Sequence, residues 1–252
     1  MANNKNKYSL SLIFYTLIML FPFTTMAKGS MKTYQHHLEV LAKDSKNIES
    51  LRYISMYYLN QGHFEKAIEY ANQLMEVGTS QKNTKQAVVY AHICLGQALM
   101  MTNRTNSFQA YNHLKQAEAI SEIHLLDSAL CSVYNGLGLY ATNIQKDYAG
   151  ALKYFFKGTD AAKRSNYSRL HCILLCNISG IYHLQKDTTG LVYTQKCYKI
   201  GHLKHDPFLI YIGAVRTASM LNLKKDYQGA LEYIKEAEFL MQQNDFKDQA
   251  EV

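Results

Sequence analysis

KDYAGALKYF at residues 146–155 returns as KDYQGALEYI at 225–234, and a divergent copy, KDTTGLVYTQ, stands between them at 186–195. The Lys-Asp pairs are separated by 40 and 39 residues. Self-similarity at a period of tens of residues marks stacked supersecondary units, each too small to bury its apolar face alone. Long stretches with apolar residues at helical spacing flank every copy. After the corner a small residue recurs as Ala151 and Ala230, with Leu191 in the divergent copy. About one helix length upstream, Gly138 and Gly180 lie in the matching phrases NGLGLY (135–140) and NISGIY (177–182). Two antiparallel helices approach closely only where one presents no bulk, so these Gly and Ala are expected to face a Tyr, Phe or Leu. Each copy therefore reads as the corner and second helix of a helical hairpin, its corner aromatic seated under the next unit.

The template fits twice more upstream. LRYISMYYLNQGHFEKAIEYANQLM (51–75) has Gly62 and Phe64 at the turn and Ala67 three residues on. AHICLGQALM (91–100) with SFQAYNHLKQAEAI (107–120) follows, Gly96 and Ala110 taking the small positions. Periodicity predicts helices near 32–43, 47–60, 64–77, 82–102, 107–120, 125–144, 148–164, 168–185, 189–202, 207–223 and 227–243. Asp206-Pro207 is a good helix start, since Asp caps and Pro at the first position loses no hydrogen bond.

These residues resemble the tetratricopeptide repeat (TPR), with its Gly or Ala in the first helix, an aromatic after the turn, and Ala further on. QGHFEKAIEYANQL, KDYAGALKYFFKG and KDYQGALEYIKEA match best, while Ser107 and Thr188 replace the aromatic in the second and fourth units. The spacing is nearer forty than the ~34 of that family, which keeps HEAT-like hairpins as an alternative. The resemblance implies an all-α, right-handed superhelical solenoid of antiparallel helix hairpins. An N-terminal helix would occupy 28–46 and about five hairpins 47–243. Gln249-Ala250 follows Ala230 at the same interval as Gln86-Ala87 follows Ala67, so 244–252 reads as the start of a further, truncated repeat.

Of the 252 residues, 48% are hydrophobic and 19% charged, a balance that supports a packed core rather than disorder. Lys5 and Lys7 precede the uncharged run LSLIFYTLIMLFPF (10–23), and Thr25 and Ala27 supply small residues for a signal peptidase. That layout predicts a signal peptide over 1–27, cleaved near Ala27, and an exported protein, periplasmic or otherwise extracytoplasmic. An uncleaved anchor is the alternative, but the run is shorter than the ~20 residues a spanning helix requires. Cleavage would lower the net charge from +7 to +5, and the lysines are scattered, so direct nucleic-acid binding by this segment is not expected.

No phosphate loop or nucleophile elbow is present, and the chain is expected to be no enzyme and to need no cofactor or metal. Cys94, Cys131, Cys172, Cys176 and Cys197 all fall at apolar helical positions and read as buried small residues, with a disulfide or metal site as alternatives. The expected activity is binding of a peptide or protein partner. By the resemblance, the fifth position of each first helix faces the concave side, and it holds Arg52, Asn135 and Asn177, with Asn60 and Asn143 beyond. Such groups can grip an extended backbone; alternatively, Asn135 and Asn177 bridge neighbouring helices. A different function is also open, that of an N-terminal sensor fragment of a membrane-anchored TPR regulator with a DNA-binding helix-turn-helix. Membrane contact would then come only through a missing C-terminal part.

Overall fold

The computed structural model describes residues 29–81, 84–102 and 104–244, which form helices and short turns with no β-strand among them. Eleven α-helices are present among the described residues: α1 (Gly29–Lys43), α2 (Ile48–Asn60), α3 (Phe64–Ser80), α4 (Lys85–Thr102), α5 (Ser107–Ile123), α6 (Asp127–Tyr140), α7 (Tyr148–Arg164), α8 (Ser168–Leu184), α9 (Leu191–Lys204), α10 (Pro207–Leu223) and α11 (Tyr227–Asn244). Their ends lie within three residues of the positions expected from periodicity, except at α6, whose last turn widens into a π turn at Ala141–Gln145. The predicted signal peptide lies outside the described residues, as does the truncated repeat beyond residue 244. No helix among the described residues is long and apolar enough to cross a membrane.

The described chain divides into two compact units, and the boundary falls inside α8, between Leu170 and His171. In the N-terminal unit each helix packs on the next from α1 to α7, and the even-numbered helices also touch, α2 with α4 and α4 with α6. In the C-terminal unit α9 packs on α10 and α10 on α11.

The recurring Lys-Asp pair is explained by the corners. Lys186 and Lys225 adopt the left-handed conformation, with φ of 58° and 66°. Each closes a Schellman turn: Lys225 N–H donates to the Asn222 carbonyl at 2.9 Å and Asp226 N–H to that of Leu221 at 2.9 Å. Lys186 and Asp187 do the same with His183 and Tyr182. Leu125, Asn166, His205 and Gly62 hold the same position at other corners, so one backbone motif ends helix after helix. The following Asp caps the next helix. Asp147 accepts from Gly150 N–H at 2.9 Å and Asp226 from Gly229 N–H at 3.0 Å. A Cβ on Gly150 would stand 2.2 Å from the Asp147 carboxylate, and one on Gly229 2.8 Å from that of Asp226, which accounts for the Gly three residues after each Asp. The corner aromatics differ in burial: Phe64 packs on the core that joins α2, α3 and α4, Tyr148 is half-buried, and Tyr227 is 64% exposed. Asp147→Ala and Asp226→Ala are each expected to lower stability by about 1 kcal/mol, read as a shift of the urea midpoint.

Small residues do let the helices nest. Gly138 of α6 faces the fully buried Phe155 of α7, whose ring would lie 2.3 Å from a Cβ. Gly96 of α4 faces Leu114 and the Ala110 carbonyl of α5. Ala67, Ala71, Ala98 and Ala151 are fully buried. Ile54, Leu59, Cys94 and Leu95 close around the first two of these, joining α2, α3 and α4 in one core. Helix α1 covers the outer side of α2 through aromatic stacking, Tyr34 on Tyr57 and His37 on Tyr53, both with centroids 4.2 Å apart.

Candidate functional site

The even-numbered helices of the N-terminal unit differ in charge from the odd-numbered ones. Helix α4 carries Lys85 and no carboxylate over its 18 residues. Helix α2 carries Glu49 and Arg52, and α6 carries Asp127 alone. That Asp127 carboxylate is already held by Arg164 of α7, which donates from Nε at 3.0 Å and from an Nη at 2.6 Å. The hydrogen bonds from Arg164 keep the carboxyl below its ordinary range. Carboxylates gather instead on the odd-numbered helices, as Glu65, Glu69, Glu76, Glu118, Glu122 and Asp160.

Arg52 is half-buried, its guanidinium carbon 5.0 Å from the centroid of the Tyr90 ring of α4. Helix packing of α2 on α4 brings the two together, and a planar cation over an aromatic face keeps its outer N–H groups available for a planar anion. Tyr167, in the turn before α8, is 39% exposed. Burial pushes its phenol up and nearby Tyr90 adds to this, while Arg169 and Arg52 pull it down. Tyr90, Arg169 and Arg52 thus each act electrostatically on Tyr167, and the four residues come from three separate segments.

The other residues singled out from sequence are placed as follows. Asn135 is 4% exposed, a core group of α6 rather than a surface one. Asn60, at the end of α2, is half-buried, and its amide nitrogen and oxygen are both buried without a hydrogen-bond partner. Asn143, in the π turn, and Asn177, on α8 in the C-terminal unit, are half-buried. Arg52 itself is partnered by the Tyr90 ring. Sequence reasoning missed Tyr90, Tyr167 and Arg169. The signal was the absence of acids along α4, legible only once α4 is known to lie beside α2.

All five cysteines are buried free thiols. Cys94 and Cys197 donate weakly to backbone carbonyls of neighbouring helices, Cys94 to Ser55 at 3.5 Å and Cys197 to Leu209 at 3.7 Å. Burial raises the Cys94 thiol to about 12. No group of three or more His, Cys, Asp or Glu converges as a metal site among the described residues. One polar pair sits between α4 and α5, where Nδ1 of the buried His92 and Nδ1 of the half-buried His113 are 2.8 Å apart. No protein-family model matches the chain, and no curated protein matches it.

Proposed function

We propose that this protein is an exported, TPR-like helical solenoid that binds a peptide or protein segment along its even-numbered helices and is not an enzyme. The observation that carries the reading is the side-by-side packing of α2, α4 and α6, made close by Gly and Ala at the contacts with α3, α5 and α7. Such stacking of paired helices leaves the first helix of each pair facing one side, the arrangement by which repeat arrays build extended binding surfaces. Arg52 and Tyr90 on that side supply a charged and an aromatic anchor, the two residue types most often found at binding hot spots.

The test is affinity capture from an extracytoplasmic extract with the protein as bait. A segment retained by the native chain is expected to be lost by about tenfold or more with Arg52→Ala, with the helical circular dichroism unchanged. Capture indifferent to Arg52→Ala and to Tyr90→Ala sinks the assignment of this face.

A further inference from the structure

We propose that Cys172 of α8 and Cys197 of α9 form a disulfide when the chain folds in an oxidising compartment, tying the two helices together. The presence of the bond in the cell rests on the exported reading above; the pairing itself does not. The structure describes the reduced state, in which the Cys172 thiol donates to the main-chain carbonyl of Cys197 at 3.8 Å. A thiol that reaches the backbone of a second cysteine across a helix interface stands beside that residue's own side chain. Both residues are fully buried in the C-terminal unit, and the Cys197 thiol hydrogen-bonds with those of Cys172 and Cys176.

Geometry removes the other pairings. Cys172 and Cys176 lie one turn apart on α8, where Cβ atoms are ~5–6 Å apart, beyond the ~3.5–4.5 Å that a disulfide spans. In the N-terminal unit Cys94 donates to the Ser55 and Ala67 carbonyls. Cys131 engages the Asp127 carbonyl and the Ser165 hydroxyl, so none of these partners is a thiol. Of the two α8 thiols, Cys172 also reaches the Cys197 main chain, which makes it the partner and leaves Cys176 reduced. The oxidant is a disulfide, either a small molecule or carried by a protein. The Cys172 thiolate attacks one of its sulfurs, and a thiolate leaves. The Cys197 thiolate then attacks the Cys172 sulfur of the mixed disulfide and releases the second thiolate. Two cysteines thus lose two electrons and two protons, and one disulfide becomes two thiols. Burial holds the Cys197 thiol well above its ordinary range, so the exchange belongs to the folding chain, before α9 closes on α8.

The test refolds the full chain, first unfolded and reduced, in a mixture of oxidised and reduced glutathione. The product is alkylated with N-ethylmaleimide in denaturant, weighed, and digested for peptide mapping. Since two of the five cysteines enter the bond, the native chain is expected to carry three alkyl groups. Its mass should also fall short by two hydrogens, about 2 Da, and digestion should yield a Cys172–Cys197 linked peptide. Cys176→Ser should keep that link, and Cys197→Ser should leave every remaining cysteine alkylated. Five alkyl groups on the native chain, or a link that joins any other two cysteines, overturn the proposal. The native readout needs no variant, so a variant that fails to fold does not remove the test. Cells expressing the chain, trapped with the same reagent, separate this proposal from the exported reading. A bond formed on refolding, with a chain recovered from the cytoplasm, sinks export and keeps the pair. An extracytoplasmic chain with five free thiols, matched by five after refolding, does the reverse.

Discussion

Gly213→Ala is expected to lower the stability of the C-terminal unit by about 3 kcal/mol or more, although Gly→Ala inside a helix ordinarily raises it by roughly 1 kcal/mol. The sign is decided by what a methyl group would meet. Gly213 lies in α10, and a Cβ there would stand 2.6 Å from both the Cα and the N of Tyr198 in α9. A side chain could rotate away from such an encroachment; a helix backbone cannot. Gly201 of α9 makes the reciprocal approach, its Cβ position lying 2.5 Å from the Ile210 nitrogen and 2.8 Å from the Leu209 carbonyl carbon. The two helices thus touch backbone to backbone at two levels, and relief at one requires movement at both. Rigid separation would also strip cover from residues between them, among them the fully buried Cys197 and Leu209. Thermal unfolding followed by circular dichroism should show a transition displaced downward by roughly 6–10 °C. An unchanged or raised midpoint would mean that α9 and α10 do not approach as closely as described.

That contact also shows what the sequence could and could not disclose. Helical hairpins were legible because close packing leaves a trace in composition: Gly96, Gly138, Ala67 and Ala151 recur where bulk is forbidden, and each is found at a helix contact. The Lys-Asp repeat was legible as a corner but not as a mechanism. Its Lys holds a left-handed φ that any residue can adopt at some energetic cost, and its Asp acts through a backbone N–H three residues on. Neither fact shows in side-chain type, so the conspicuous aromatic drew the weight instead; Phe64 packs on the first core as expected, whereas Tyr227 is exposed. At the candidate site Arg52 was visible as a charge at a recurring helix position. Its companions Tyr90, Tyr167 and Arg169 are far from it in sequence, and only packing of α2 on α4 joins the first pair. Asn135 was chosen by the same position rule as Arg52, yet it is buried. Next to it Gly136 admits the Leu114 side chain, so that turn of α6 faces α5. Positional rules identify a helix face only as far as the neighbouring helices respect them.

The buried histidine pair leads to the second large effect, a loss of stability in mild acid. His92 and His113 face each other through their Nδ1 atoms at 2.8 Å, a distance that admits one hydrogen between them. One ring donates and the other accepts, so the contact needs at least one neutral imidazole, and full protonation sets N–H against N–H. Burial, and then the neighbouring His113, push His92 down to about 4. Burial lowers His113 as well. In the unfolded chain both rings take up a proton near the ordinary value of about 6.5. Below that pH the unfolded state therefore binds more protons than the folded one, and stability rises with pH across this range. The contribution of the pair is complete above about 6.5 and is lost progressively as pH falls toward 4. For His92 the loss is ~2 kcal/mol after allowance for solvent at one edge of the pair. His37 and His183 are also lowered, chiefly by burial, and add slope in the same direction. The pair is isolated by difference. In urea unfolding at successive pH values from 7 to 4, the native chain is expected to lose more stability than the His92→Leu, His113→Leu double variant. The apolar pair keeps the volume between α4 and α5 roughly filled and has nothing to titrate. Parallel curves for the two proteins would show that the histidines take up protons in the folded state as easily as in the unfolded one, and that their contact is not a proton-sharing pair.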